Sequence, residues 1–514
     1  MVSNKRFLGA ALAAPLALAG CGGEGTFDLT LLHEDCTGNV DFLPPSAELT
    51  IRVSGDGMSD VVQRAPASEG SVELPEVPYG SNRVVTVTVN AGGKLVAMGR
   101  SAPFEVSASD TPDVTVVVQG VNRFTGAADT ANNCVEMSTA RAGHTAVLMA
   151  DGRVLLVGGF KRLEQSGVGT GPVATAEVFD PSVGSFVPVA APCDGEVCYD
   201  VAFGAGVSLP DGKVLVAGGE RASADNTSVT AVDTAMIYDP VANKWSARKM
   251  ASPRRGHTLH RLGNKVLVVG GMDDEKNVLA TTEIFDPATG DFAEGPAIDE
   301  AVPGRAFHAG APVNDSTVMI GGGIDGNGDV AAALLYFTVD RSGKIQRVKG
   351  NDKAKLPTPV LLGSAGAVNG NFVLVGGTRG YTKSVQRYDK SLATDKVQWA
   401  QPSTSAPAPE EIALSDRRIA PCTVQMDANR LLVAGGLNTN GVGMSLGEVV
   451  SWNASKREVE RSFVGDAEVN SKMALARAFP TCTNLGDGRI LVAGGADGSG
   501  NGSPSAEIFV IRPL

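Results

Sequence analysis

From about residue 137 onward, short apolar runs alternate with glycine-rich turns, and one pattern of runs keeps returning. "MADGRVLLVGG" ends at Gly159, "LPDGKVLVAGG" at Gly219 and "LGDGRILVAGG" at Gly495. A β-like run closes on Gly-Gly at seven places, with first glycines at 158, 218, 270, 321, 376, 435 and 494. The intervals are 60, 52, 51, 55, 59 and 59 residues, so the repeat is one supersecondary unit and not a chance similarity. Downstream of each run comes a second strand, "AEVFDP", "AMIYDP" or "TEIFDP" in the clear copies and "LLYFTVD", "VQRYDK", "EVVSWN" or "AEIFVI" in the weak ones. Asp-Pro sets a type I turn, with Asp at its first position and the fixed φ of Pro at its second. Phe186, Trp245 and Phe292 then follow Phe179, Tyr238 and Phe285 by seven residues, the spacing of cross-strand neighbours in a hairpin. With the apolar run that precedes each Gly-Gly strand, every unit predicts four antiparallel strands: a, b (ending Gly-Gly), c (ending Asp-Pro) and d (bearing the aromatic).

Residues 24–122 carry a different pattern. Ala47, Leu49, Ile51 and Val53 alternate with Glu48, Thr50 and Arg52, and "VVTVTV" and "DVTVVVQ" repeat the alternation. Period-2 patterning with turn-rich connections predicts a small antiparallel β-sandwich of immunoglobulin-like type. "VNRFTGAADTA" from Val121 is its linker to the repeats.

The repeated Gly-Gly, the Tyr/Phe of strand c, the Trp/Phe of strand d and an Arg-x-x-His before strand a together resemble the kelch family. That resemblance implies that each unit is one blade of a β-propeller, over about residues 132–514. The fifth and sixth units depart most: "PTPVLLGSAG" lacks Arg and His, and "SWNASKREVERSF" lacks Asp-Pro. The last unit stops after strand c, while "NNCVEMSTARAGHT" parallels "NKWSARKMASPRRGHT". A strand near residues 132–137 is therefore expected to supply the missing strand d and close the ring without an open edge. The expected fold is all-β: a seven-bladed kelch-type β-propeller, or six-bladed if one weak unit is an embellishment, preceded by the sandwich.

Three regions follow: 1–20 a leader, 21–125 the sandwich with a lipidated N-terminus, and 126–514 the propeller. Lys5 and Arg6 precede an apolar run, Phe7 to Ala19, that is too short to span a bilayer. Leu18-Ala19-Gly20-Cys21 resembles the lipobox of bacterial lipoproteins, which implies cleavage before Cys21 and acylation of that residue. Gly22 follows where an aspartate would imply inner-membrane retention, so the implied address is the outer membrane, facing the periplasm or the exterior. The net charge of −12 argues against nucleic acid, whose phosphates need a basic surface. The other six cysteines suit a disulfide-permissive compartment and fit no zinc spacing. Cys422 lies 13 residues and Cys482 12 residues before its own Gly-Gly. An odd offset flips the sheet face, so the two can meet between the sixth and seventh blades. Cys193 with Cys198 is a local pair, and Cys36 with Cys134 follows by elimination.

The b–c and d–a segments are long and varied, among them Phe160–Thr175, Leu437–Gly447 and Gln401–Asp416, so their face is the expected binding face. Strand a begins there, and Arg141, Arg254, Arg305, Arg418 and Arg477 recur at its start. They are candidates for a ring of guanidinium groups at the channel mouth, suited to carboxylates or an acidic peptide. The alternative reading is that they serve the repeat itself by bonding carbonyls between blades. His144, His257 and His308 follow three residues behind their arginines, but equivalent positions around a channel lie too far apart to share a metal. Asp325–Asp329 and Asp497–Gly502 look like pieces of calcium loops, yet lack the closing Glu and read as ordinary turns.

No nucleophile elbow, phosphate loop or zinc motif appears, and no catalytic residue, metal or cofactor is assigned. Kelch propellers include scaffolds and enzymes. The expected function is a non-catalytic scaffold that binds an envelope or surface protein, or a glycan, and touches the membrane through its lipid alone. Two alternatives are a carbohydrate-active kelch enzyme, mutarotase-like or galactose-oxidase-like, and a purely structural envelope component.

Overall fold

The computed structural model describes residues 5–7, 23–38, 40–69, 74–164, 169–223, 225, 228–298, 304–348, 355–382, 387–400, 410–463 and 472–512. Among them every regular element is a strand, and no helix is long and apolar enough to cross a membrane. Cys21 lies outside the described residues. The chain divides into two bodies, residues 1–136 with 180–185 and 507–514, and residues 137–179 with 186–506.

In the first body one sheet runs Gln119–Gly120, Lys94–Arg100, Gly80–Ala91, Glu48–Ser54, Val61–Pro66. Leu49, Ile51 and Val53 are buried and stand opposite Val89, Val87 and Val85, so the alternating residues form the core face. Leu29, Leu31, Val114 and Val116 complete that core from a second sheet. There Asp28–Leu32 pairs with Asp113–Val117 in parallel, where an all-antiparallel sandwich was expected. The chain returns to this strand only after the four longer strands of the first sheet, and a connection that long permits a parallel partner. Cys36 and Cys134 are disulfide-bonded within this body.

The second body holds the repeats. Among the described residues, six sheets share the order a–b–c–d, the third being Thr258–Leu262, Lys265–Val269, Thr282–Asp286 and Asp291–Glu294. Strand b has no polar face because sheets stack on both of its sides. Val214 and Val216 pack with Leu155 and Val157 of the first sheet, while Leu215 packs with Val266 and Val268 of the third. This is why the b strands read as continuous apolar runs and not as alternation. Tyr238 stands opposite Trp245 and Phe285 opposite Phe292, as the seven-residue spacing predicts.

A seventh set has Thr481–Asn484 as strand a, Arg489–Ala493 as b and Ser503–Val510 as c. The last strand continues into the first body, where Phe124–Gly126 pairs with Glu507–Phe509. The strand expected to fill this place lay near residues 132–137, whereas Phe124–Gly126 takes the position of strand d. Asp129 heads a turn that bonds Asn133 and folds Cys134 back onto Ala128, and Glu136–Arg141, which overlaps the end of the expected stretch, also pairs with Ser503–Val510.

The fifth sheet brings two further corrections. Its strand c is Lys396–Ala400, and the described part of "VQRYDK", from Arg387, falls instead in a hairpin, Thr378–Thr382 with Arg387–Ala393, inserted between b and c. Its strand d is Glu410–Ala413, so part of the stretch expected in a d–a connection is strand d itself. Residues 401–409 themselves lie outside the described residues.

The Gly-Gly pairs close these sheets into a cycle. Both glycines have positive φ in every unit, from +56° to +71° for the first and +86° to +106° for the second. In the fourth unit the pair is Gly322–Gly323, one residue later than the sequence reading placed it. The N–H of each second glycine donates to a carbonyl at the start of the next unit: Gly159 to Val201, Gly219 to Arg254, Gly271 to Arg305 and Gly323 to Val360. Gly377 then donates to Arg418, Gly436 to Arg477, and Gly495 back to Arg141, all at 2.7–3.0 Å.

A Cβ on Gly219 would lie 2.5 Å from the Ala202 carbonyl oxygen, whereas one on Gly212, in the a–b turn, meets nothing within 4 Å. Gly212→Ala should cost only the left-handed strain, about 1–2 kcal/mol. Gly219→Ala should cost that plus about 1–3 kcal/mol of overpacking. Urea unfolding of the two variants checks this ordering.

Candidate functional site

The five arginines do not form an open ring. Arg141, Arg254, Arg305, Arg418 and Arg477 are each at most 1 % exposed. Their guanidinium groups bond carbonyls of their own unit, which also corrects the expectation of bonds between blades. Arg254 Nη1 donates to Gly270 O (2.7 Å) and Thr281 O (3.3 Å), and Nη2 to Thr281 Oγ1 (3.0 Å). Arg141, Arg305, Arg418 and Arg477 make the equivalent pair of Nη1 bonds, to Gly158, Gly322, Gly435 and Gly494 and to the residues opposite them. The Gly-Gly turn leads the chain out of strand b, and the arginine Nη1 satisfies the carbonyl of its first glycine.

A buried glutamate on strand c completes three of these clasps: Glu177 with Arg141 (2.8 Å), Glu283 with Arg254 (2.7 Å) and Glu448 with Arg418. Each carboxylate also accepts a backbone N–H from the connection leading into strand a, at Ser138, Ala251 and Ser415 respectively. These bonds satisfy the remaining lone pairs of an otherwise costly buried charge. Sequence reading missed the glutamates, although they stand at one position of strand c, two residues before its aromatic in "AEVFDP" and "TEIFDP". The second unit replaces both partners together, with buried Val201 and Met236.

The histidines are buried between units. His257 Nε2 bonds Ala217 O at 3.1 Å, His308 Nε2 bonds Thr258 Oγ1 at 3.0 Å, and His144 Nε2 bonds Thr481 Oγ1 at 2.8 Å. Burial, aided by the nearby arginine charges, pushes His144 and His257 down to about 3. Burial alone pushes His260 down to about 4, and burial with the Arg305 charge holds His308 well below its ordinary value. All four are therefore neutral wedges. No group of metal-ligating side chains occurs among the described residues. Asp325 and Asp497 spend Oδ1 on the backbone N–H groups two and four residues on, which is turn chemistry.

Accessible chemistry at this face begins two residues beyond the repeated arginine. There every unit has a residue of positive φ: Gly143, Phe203, Gly256, Phe307, Leu362, Ala420 and Phe479, at +47° to +63°. Neighbours are bonded head to tail, with Phe203 N–H on Gly143 O, Phe307 on Gly256, Leu362 on Phe307, Ala420 on Leu362 and Gly143 on Phe479, at 2.7–3.2 Å. Two apolar clusters meet at Leu362, so the side chains of this ring form one continuous floor. Phe203 and Phe479 touch edge to face with centroids 5.0 Å apart. They do so over Gly143, where a Cβ would come within 2.9 Å of the Phe203 ring.

One charged pair borders this floor. Arg255 Nη1 lies 3.3 Å from Glu220 Oε2, both side chains are under 15 % exposed, and the guanidinium stands 5.6 Å above the Phe307 ring. Burial raises the Glu220 pKa, against the pull of Arg255. The sequence signal for the floor was present in "VAFGAG", "RAFHAG" and "RAFPTC", two residues further on than the position of the arginine that drew attention.

The three expected disulfides, Cys36–Cys134, Cys193–Cys198 and Cys422–Cys482, are present. Residues 253–297 match the family model for the Kelch motif. The chain carries a kelch repeat. The matched stretch holds Arg254, His257, Gly270, Gly271 and Glu283, which is one whole clasp. Kelch-like protein 34 of Homo sapiens is 30% identical over 129 residues, 24% of this chain. Those residues span 20% of that protein's length. The solved structure of YjhT is similar at 15% identity with a TM-score of 0.48, over 64% of this chain and 99% of that one.

Breaking a clasp strands a buried charge, so Arg254→Val alone should destabilise by about 3–5 kcal/mol. Arg254→Val with Glu283→Met copies the second unit and should recover most of that loss in urea unfolding. The histidines predict an acid slope. Their folded pKa values lie below the unfolded value, so their contribution is complete above about pH 6.5 and is lost as the pH falls toward 4, by about 1.4 kcal/mol per unit per histidine. Melting temperature should fall from pH 7 to pH 5, and His308→Gln should flatten that fall by about one proton's worth.

Proposed function

We propose that this chain is a seven-bladed kelch β-propeller, preceded by an immunoglobulin-like sandwich and anchored in the outer membrane through lipid on Cys21. Its function is to bind an envelope or surface protein on the b–c and d–a face, without catalysis. The observation that carries this reading is the apolar floor: half-buried phenylalanines stand there over a ring of backbone in which five N–H groups are spent on neighbouring ring carbonyls. Such a surface offers burial to an apolar side chain and few free donors to a substrate undergoing chemistry. The glycan version of the reading is weaker for the same reason, since sugar hydroxyls need unspent partners.

A second reading, a carbohydrate-active kelch enzyme, rests on one observation. Glu220 is a carboxyl group with a raised pKa beside an arginine at an apolar mouth, the kind of environment that suits a general acid.

Cross-linked pull-down from intact envelopes distinguishes the two. Phe307→Gly with Phe479→Gly removes two floor rings and keeps a residue suited to positive φ, as Gly143 and Gly256 already are. With equal melting of both proteins, wild type should capture a discrete protein partner that the variant loses. Capture unchanged by the variant would move the surface elsewhere, and glycan turnover abolished by Glu220→Gln would support the enzyme instead.

A further inference from the structure

The b–c connections bordering this floor are of two kinds. Four are five-residue turns headed by Asp or Asn: Asp273–Asn277, Asp325–Asp329, Asn438–Val442 and Asp497–Asn501, in units three, four, six and seven. The other three are paired hairpins. Phe160–Leu163 pairs with Gly169–Pro172 in unit one, Glu220–Ala222 with Val229–Ala231 in unit two, and Thr378–Thr382 with Arg387–Ala393 in unit five.

In a ring of seven, the fifth position lies opposite the boundary between the first and second. The long connections therefore face each other across the floor, and the short ones leave it low at units three and four and again at six and seven. The first wall is buttressed at both ends. Leu163 N–H bonds Gly500 O of the seventh unit, and Ala231 N–H bonds Asp274 Oδ1 of the third.

The two low ends differ in charge. At units three and four stand Asp273, Asp274, Glu275, Asp325 and Asp329 against the single Lys276. At units six and seven the corresponding turns carry Asn438, Asn440 and Asn501 with Asp497. The exposed apolar side chains of Leu392 and Val442 belong to units five and six, away from the acidic end.

Resting on the binding reading above, we propose that the floor is the base of a groove for an extended peptide of a partner protein. The peptide seats an apolar or aromatic residue on Phe203, Phe307 and Phe479 and directs a lysine or arginine toward the acidic end. Charge complementarity selects this occupant. The polar groups that a glycan would need are largely engaged: ring N–H groups bond ring carbonyls, and the turn-heading Asp and Asn side chains bond their own backbone.

The test uses the full chain and fluorescein-labelled twelve-residue peptides, each with one Phe or Trp and a Lys-Arg pair at varied spacing. Matched peptides carry Glu-Glu, or Ser in place of the aromatic. Fluorescence anisotropy should show saturable binding of the basic aromatic peptides only. Raising salt from 50 to 300 mM should weaken it by about tenfold.

Asp274→Asn, Glu275→Gln and Asp325→Asn together remove the charge but keep the turn acceptors, since Asn438 already heads the same turn. That variant should melt like wild type and bind about tenfold more weakly with most of the salt dependence gone. Phe307→Gly with Phe479→Gly should abolish binding with the salt slope untested only because no complex remains, while Glu-Glu peptides stay unbound throughout. Equal binding of Glu-Glu peptides, indifference to the acidic variant, or no peptide binding would overturn the groove. If the envelope cross-link still depends on Phe307 and Phe479, the face reading survives that failure. If the cross-link is lost too, both fall, and capture of glycans instead of peptides also overturns the groove.

Discussion

One arginine per clasped unit bonds in two directions at once, and the fold depends on that division. Its guanidinium holds the exit of strand b and the entry of strand c in its own unit, and its backbone carbonyl receives the Gly-Gly N–H of the unit before. The first bond fixes the inner end of a sheet, and the second fixes the step to the next. Neither works without glycine, because only a chain turning through two successive positive φ values presents a carbonyl to one arginine and an N–H to the next. Units two and five show what is indispensable. Val201 and Val360 have no guanidinium, yet their carbonyls still accept the glycine bond. The step between sheets is thus the invariant element, and the ionic clasp a replaceable reinforcement.

This explains why the fold was more legible in the sequence than the site. Gly-Gly recurs because the backbone demands it, and the seven-residue aromatic spacing recurs because antiparallel register demands it. The parity of Cys422 and Cys482 against their glycines located a disulfide from the period of a strand alone. The arginines recur for an equally structural reason, and recurrence at the rim drew attention to the wrong residue. The floor positions share a φ, not a residue type, so Gly143, Phe203, Leu362 and Ala420 look unrelated as letters. "VQRYDK" misled for the opposite reason: a Tyr-Asp pair imitates strand c, although Tyr388 pairs with Tyr381 in an inserted hairpin.

A functional surface here consists of what the repeat leaves unspecified. Backbone groups at the mouth bond one another and the arginines are consumed below it, so the frame supplies shape without reactivity. Individuality enters through the hairpins of units one, two and five and through the choice of ring side chains. Ring chemistry and connection length, at different scales, both set this face apart from the opposite one.

The pairing of Phe124–Gly126 with Glu507–Phe509 also has a consequence for how the molecule is made. The two partners are separated by nearly the whole repeat region, so a growing chain presents the first long before the second exists. Until the last residues are synthesised, that edge has no native partner, and loop-closure entropy makes this contact among the slowest to form. Synthesis from N- to C-terminus thus leaves this contact unmade until residues 507–509 have emerged. Loss of the last eight residues would leave every other sheet encoded and still deny the molecule its closing strand.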